Sequence, residues 1–367
     1  MNILYVTPFL GTGGIEKMMY EWISRFDKTE IHVDILVNKI LDRDQHKRFE
    51  NLGCNLYENN CTFYQICKEI KYLSKLLSKN YYDVIHVHTG GAFDFWNLVV
   101  AKHKGIKCRI IHSHNACKFS KITTRMIQSL SKPLLRYYAT DYYACSFKAL
   151  YSLCGNTRKI KKLGKIIPNG VNIDNFIFNS DVREKIRKNF GWQNKTVIGS
   201  VGRLNVQKNQ TFLIDVFSEI KHELDNAVLL IIGGGELYVE LKRKVEELQL
   251  QNDVIFTGNI QNVHEMYQAM DCFVLTSLYE GLVIAAIEAQ CAGLKVFLSD
   301  SITKETEITD LVSFIGLDLS ASTWARTIIG SINYNRVSQR ENIINAGYDI
   351  DVVARNLQLE YLKKYKE

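Results

Sequence analysis

Val197-Ile198-Gly199-Ser200-Val201-Gly202-Arg203-Leu204, followed by Gln207-Lys208-Asn209 and a helical pattern to Ile220, decides the fold. An apolar strand that ends in glycine and hands over to a helix opens a parallel α/β sheet. The same unit has already occurred once. Residues 2–8 are apolar, Leu10-Gly11-Thr12-Gly13-Gly14 follows, and Met18, Met19, Trp22, Ile23 and Phe26 then recur at helical spacing.

Between these two openings, strand-like runs fall at Ile31–Val37, Val84–Val87, Arg109–His112, Tyr142–Cys145 and Lys165–Pro168. Helical stretches such as Cys67–Leu77 and Leu98–Lys104 separate them. After the second opening the alternation repeats, with strands at Val228–Ile232, Val254–Phe256, Cys272–Leu275 and Lys295–Leu298. Helices are expected at Leu237–Leu248, Val263–Gln268 and Glu280–Ala292. The break near residues 168–195 carries the turn signal Pro168-Asn169-Gly170. The expected organisation is therefore α/β with two Rossmann-like domains, residues 1–167 and 168–350. A last helix at about 351–364 is expected to cross back onto the first.

The chain has 367 residues, 46% of them apolar and 23% charged, enough for two separate cores. It runs straight into Ile3-Leu4-Tyr5-Val6 without a basic leader, and it holds no uninterrupted apolar run long enough for a membrane span. The expectation is a cytoplasmic protein. Nine cysteines, an odd number with no Cys-x-x-Cys pair, read as reduced thiols. The net charge of +7 divides unevenly, +13 on residues 1–167 and −6 on residues 168–367. Nine basic residues and no acid lie between Phe95 and Thr140, a composition suited to an anionic partner.

Three motifs carry chemistry. Gly11-Thr12-Gly13-Gly14 lets backbone N–H groups approach an anion at a helix start, although Glu16 stands where a dinucleotide fingerprint has its third glycine. Taken alone it is equally a tight turn. Arg203 leaves a strand end and Lys208 precedes a helix, so both face the carboxyl edge of the sheet, where a diphosphate needs forked and fixed cations. Taken alone they are equally a solvated pair of cations. Ser277-Leu278-Tyr279-Glu280-Gly281-Leu282-Val283-Ile284-Ala285-Ala286-Ile287-Glu288-Ala289 sets two carboxylates eight residues apart in an almost wholly apolar stretch. A carboxylate there is costly without a partner, and ribose hydroxyls would supply one. The competing explanation is a helix cap with an internal ion pair. Gly281 and Leu282 are expected to start the helix with their amides facing a phosphate or sugar oxygen.

With these stretches, Gly13-Gly14-Ile15-Glu16, His112-Ser113-His114-Asn115, Ile167-Pro168-Asn169-Gly170-Val171 and Gly233-Gly234-Gly235-Glu236, the chain resembles the retaining GT-B glycosyltransferases of family 4 that carry a Glu-x7-Glu motif. Among them it is most similar to bacterial capsular and exopolysaccharide enzymes. The resemblance covers essentially the whole chain, and Val283 departs from it, since the family often has Pro or Gly there. It implies two Rossmann-like domains facing each other across a cleft, with the acceptor on the first and the nucleotide sugar on the second. It implies Arg203 and Lys208 on the donor diphosphate, Glu280 on donor-sugar hydroxyls and Glu288 on the ribose. Gly13, Gly14, Gly281, Leu282 and Val283 complete the donor site, and His114 faces the reaction centre.

The expected reaction moves a sugar from a UDP-sugar to a hydroxyl of a lipid-linked or growing polysaccharide, with retained anomeric configuration. No cofactor or metal is expected, because cationic side chains and helix ends replace it. His112 is expected to support His114. His86 and His88, alternating along a strand, are expected to be structural, with no third metal ligand at convincing spacing. Basic and apolar residues interleave through Lys118, Phe119, Lys121, Ile122, Arg125, Met126, Leu130, Lys132 and Leu134, which suits peripheral contact with an anionic membrane. A sugar-nucleotide epimerase of similar fold and a nucleic-acid-binding protein are the rival readings. The carboxylate spacing disfavours the first, and the absence of a known recognition motif disfavours the second.

Overall fold

The computed structural model describes residues 1–11, 13–61, 65–89, 91–114, 122–280 and 282–366. The chain divides into two compact units, Met1–Gly170 with Ile350–Glu367, and Val171–Asp349.

Among the described residues the first unit holds seven parallel strands: β1 (Asn2–Leu10), β2 (His32–Ile40), β3 (Leu56–Glu58), β4 (Val84–Thr89), β5 (Cys108–Ser113), β6 (Asp141–Ala144) and β7 (Gly164–Ile166). They lie in the order β3-β2-β1-β4-β5-β6-β7. Ile3, Leu4, Tyr5 and Val6 are all buried, as expected of a central strand covered on both faces. Helix Gly14–Ile23 packs Met18, Met19, Trp22 and Ile23 against this sheet. The last helix, Ile350–Lys366, belongs to the same core through Val353, Ala354, Leu357 and Tyr361. Ion pairs Lys165–Glu360 and Lys364–Asp141 fix its outer side, and Gln358 accepts a hydrogen bond from Asp27 N at 2.8 Å.

The second unit holds β8 (Thr196–Val201), β9 (Ala227–Ile232), β10 (Val254–Phe256), β11 (Cys272–Leu275), β12 (Lys295–Ser299) and β13 (Val312–Ile315). Their order is β10-β9-β8-β11-β12-β13. In each sheet the order reverses beside its first strand, between β1 and β4 and between β8 and β11. Chains diverge at those places and leave a crevice at the carboxyl ends of the strands.

The break near residues 168–195 carries helices Ile173–Phe176 and Ser180–Phe190. Asn179 caps the longer one by accepting from Asp181 N and Val182 N, and Gly191 ends it in a left-handed conformation (φ 69°). The helix expected from Glu280 runs only from Ile284 to Cys291. Val283 precedes it with extended backbone (φ −99°, ψ 101°), the conformation a β-branched residue favours. Leu282 and Val283 therefore lie ahead of the helix with buried side chains. Glu288 stands little more than one turn inside it.

Candidate active site

The switch point of the second sheet collects the residues singled out for the donor. Gly202, Arg203 and Leu204 leave β8, and Thr276 through Glu280 leave β11. The two segments are stitched together by Leu278 N to Gln207 O (2.8 Å), Gln207 Nε2 to Tyr279 O (3.0 Å) and Asn209 Nδ2 to Thr276 O (3.2 Å). Asn205 accepts from Lys208 N at 3.1 Å and so shapes the turn that carries Lys208. Asn209 closes that turn at φ 53°, a conformation asparagine tolerates better than most residues.

Lys208 Nζ meets Glu280 Oε1 at 2.7 Å, with both side chains largely buried. Arg203 is the opposite case. Its side chain is 72% exposed and, among the described residues, pairs with Glu236 at 3.5 Å. The site thus offers one cation already neutralised by a carboxylate and one open to an incoming anion. Gly281 lies outside the described residues.

The run Gly233-Gly234-Gly235 holds this loop in place. A Cβ on Gly235 would stand 2.2 Å from Leu204 O, and one on Gly233 would stand 2.2 Å from Gly202 O. Leu204 N in turn donates to Gly234 O at 3.0 Å. Only glycine lets the two backbones approach this closely.

Glu288 is buried in its helix with 4% exposure, and Tyr267 donates to its Oε2 at 3.0 Å. Tyr267 belongs to the short helix Val263–Ala269, outside the motif and 21 residues before Glu288. The carboxyl ends of that helix and of Ile284–Cys291 share one guanidinium. Arg336 donates to Tyr267 O (3.0 Å), Gln268 O (2.9 Å), Met270 O (3.1 Å) and Ala292 O (2.8 Å). Sequence reading missed Tyr267, Arg336 and the turn-shaping Asn205. Tyr267 and Arg336 find their partners only through tertiary packing, whereas Asn205 caps a turn three residues long and its Asn-x-x-Lys spacing was a signal the sequence offered.

In the first unit the switch point lies between β1 and β4. Gly13 and Gly14 are exposed there at the start of helix Gly14–Ile23. Glu16 turns back so that its Oε1 accepts from Gly11 N at 3.1 Å, and burial raises its carboxyl above the usual range. The helix start is therefore partly answered by the chain's own carboxylate.

Four histidines form a compact array, three on neighbouring β4 and β5 and His114 just past the end of β5. His86 Nε2 lies 3.1 Å from His112 Nδ1, and His88 Nδ1 lies 2.8 Å from His114 Nε2. The His86 ring stacks on His88, and the His112 ring on His114, each at 4.2 Å between centroids. Trp22 stacks on His112, and Tyr361 closes the chain at His86 Nδ1 (2.5 Å) and Tyr5 (2.8 Å). Burial pushes His86, His88 and His112 well below the ordinary imidazole value, and His114 down to about 3.

Spacing in the sequence shows no third metal ligand beside these pairs, and the fold brings the two pairs together. His86, His88 and His112 each bring a nitrogen within 4.8 Å of the others. Two of these rings, His86 and His112, lie nearly parallel (9°), and a nitrogen of each is already taken up in the hydrogen bond between them. The arrangement suits hydrogen-bonded neutral imidazoles better than a converging ligand set.

The profile of glycosyl transferases group 1 matches residues 182–349, and that of glycosyltransferase family 4 matches residues 12–175. The chain belongs to the GT-B glycosyltransferases of the family 4 kind. Glycosyltransferase EpsF of Bacillus subtilis (strain 168) is 27% identical over 363 residues, which cover 95% of this chain and 93% of that one. The UDP-Gal:alpha-D-GlcNAc-diphosphoundecaprenol alpha-1,3-galactosyltransferase of Escherichia coli is 28% identical over 251 residues, 66% of this chain and 64% of its own. Among solved structures, Anabaena Alr3699/HepE in complex with UDP-glucose superposes with a TM-score of 0.80 at 19% identity, covering 99% of both chains. In this glycosyltransferase the two profiles fall either side of the stretch where the two units adjoin in sequence, and the switch point between β8 and β11 lies within the second of them.

Proposed function

We propose that the enzyme transfers a sugar from a UDP-sugar to a hydroxyl of a lipid-linked or growing polysaccharide, with retention of anomeric configuration. The observation that carries this reading is the Lys208–Glu280 ion pair at the carboxyl edge of β8 and β11, with the exposed Arg203 leaving β8 and Glu288 in the helix that follows Glu280. Fixed cations there stabilise the charge that grows on a departing diphosphate, the role a metal ion would otherwise fill. Glu280 accepts from hydroxyls of the donor sugar and Glu288 from the ribose. Leu282 and Val283 contribute backbone groups, and Gly281 allows the donor to approach. The first unit takes the acceptor, with His114 as its candidate contact, and Gly13 and Gly14 offer backbone N–H groups at a helix start to an anionic group of the donor. Support comes from the relatives. The E. coli enzyme is named for a UDP-Gal donor and a diphosphoundecaprenol acceptor, and HepE was solved with UDP-glucose.

A panel of UDP- and GDP-sugars assayed for hydrolysis without acceptor tests the donor. Turnover of a UDP-sugar in the presence of a chelator is the expected result. Activity confined to GDP-sugars, or abolished by the chelator, would overturn that part of the reading.

Peripheral contact with an anionic membrane belongs to the same proposal. Helix Ile122–Tyr138 buries Gln128, Ser131 and Leu135 and leaves Ile122, Met126, Ile127, Leu130, Leu134 and Tyr137 exposed, with Arg125 beside them. Lys118, Phe119 and Lys121 lie outside the described residues. Among the described residues no helix is long and apolar enough to cross a membrane.

A further inference from the structure

Tyr267 is wholly buried, and its ring is held edge-on by Phe176 at 5.5 Å and tilted against Phe273 at 5.8 Å. Its hydroxyl has one proton and two acceptors within reach, Glu288 Oε2 at 3.0 Å and Ala285 O at 3.1 Å. The charged acceptor is the stronger of the two. A glutamate's terminal torsion is otherwise broad and only weakly two-fold. A phenol that cannot move therefore gives one oxygen of that carboxylate a donor in a fixed place and narrows the orientations it adopts. Arg336 makes the spacing rigid, because it binds carbonyls at the carboxyl ends of both helices that carry the pair. Vicinal hydroxyls of a ribose demand a defined plane, since both must donate to the same carboxylate.

We propose that Tyr267 is a positioning residue for the nucleotide, orienting Glu288 so that its carboxylate receives the two ribose hydroxyls. This rests on the assignment of Glu288 to the ribose. Tyr267 touches no donor atom in this scheme and acts only through Glu288.

Calorimetric titration of UDP and of 2′,3′-dideoxy-UDP into wild type, Tyr267→Phe, Glu288→Gln and the double variant tests it. Thermal melts run alongside to confirm that Phe, which removes one oxygen and keeps the ring, leaves the domain folded. Wild type should prefer UDP, and Tyr267→Phe should cut that preference about tenfold while binding the dideoxy nucleotide as wild type does. In the Glu288→Gln background the same substitution should cause no further loss. An unchanged preference in Tyr267→Phe overturns the proposal, and so does an equal loss of affinity for both nucleotides, which is the mark of a purely structural role. A wild type that does not distinguish the two nucleotides overturns the ribose assignment itself and this inference with it.

Discussion

Arg203 and Lys208 carry the same formal charge in one site, yet their surroundings differ enough that their variants should behave differently. Arg203 is mostly exposed, so Arg203→Ala should leave stability within about 0.5 kcal/mol, the usual range for surface changes. If it stabilises the leaving diphosphate, turnover should nevertheless fall by ~10²-fold or more. Near-normal turnover with an unchanged melt removes it from the mechanism. Lys208→Ala should lower turnover similarly and also destabilise, because it strands the largely buried Glu280 without its cation. Initial rates at saturating donor, read beside thermal melts, separate the two effects. Glu288→Ala should weaken UDP binding by about 1–3 kcal/mol in calorimetry, the range for hydrogen bonds to a charged group. Unchanged affinity would place Glu288 outside the nucleotide site. These residues were visible in the sequence because charge in an apolar stretch stands out. Tyr267 and Arg336 were not, since an aromatic in an ordinary helix and an arginine in a loop look like core and surface until the helix ends are brought together.

At the level of elements, the close approach of Gly233–Gly235 to Gly202–Leu204 gives a sharp expectation. Gly235→Ala puts a methyl against backbone, which cannot swing aside as a side chain could. A loss of about 1–3 kcal/mol in urea unfolding is expected, with a raised donor KM because the Arg203 loop is displaced. Wild-type values for both would mean the loop yields freely. The histidine array on β4 and β5 sets the acid limit of the first unit. Its imidazoles have folded-state values well below the unfolded one, so the unfolded chain binds more protons as pH falls through about 6.5. Stability is full above that pH and is lost progressively beneath it. At pH 5 the loss is on the order of 1–2 kcal/mol for each buried imidazole. Urea midpoints from pH 7.5 to 5 should fall, and His112→Asn should flatten the fall; a pH-independent midpoint would contradict buried neutral rings. Alternating strands and helices were legible because buried parallel strands are nearly continuous apolar runs. The start of the helix at Ile284 was not, because the apolar residues 281–283 read the same in a turn as in a helix. Likewise Ser180–Phe190 is polar enough to pass for a linker, and only its Asn179 cap and Gly191 stop betray it. The histidine array was half legible. The His-x-His spacing shows one face of a strand, but the register that sets His88 opposite His112 is a property of the sheet.

For the whole molecule the informative quantity is the distribution of charge. The excess of +13 over residues 1–167 includes Arg125, Lys132 and Arg136 on helix Ile122–Tyr138, with Arg158, Lys159, Lys161 and Lys162 on helix Arg158–Leu163 of the same unit. Either feature alone is ordinary, since basic faces are usually solvated and single exposed apolar residues are common. Helix Ile122–Tyr138 combines the two, because Ile122, Met126, Leu130 and Leu134 recur four residues apart and all are exposed. An exposed apolar stripe on a basic unit suits an anionic bilayer, where each nearby cation contributes about 1 kcal/mol and the apolar side chains enter the headgroup boundary. Sedimentation with phosphatidylserine-containing and purely zwitterionic vesicles, at low and high salt, measures this directly. The enzyme should pellet with the anionic vesicles at low salt and be released partly at high salt, the apolar residues retaining a fraction. Met126→Glu with Leu130→Glu should abolish pelleting at either salt while leaving hydrolysis of a soluble UDP-sugar unchanged, because neither residue lies in the donor unit. Equal partitioning to both vesicle types, or retention of the double variant on anionic vesicles, would separate the enzyme from the bilayer and require that a lipid-linked acceptor be delivered to it another way.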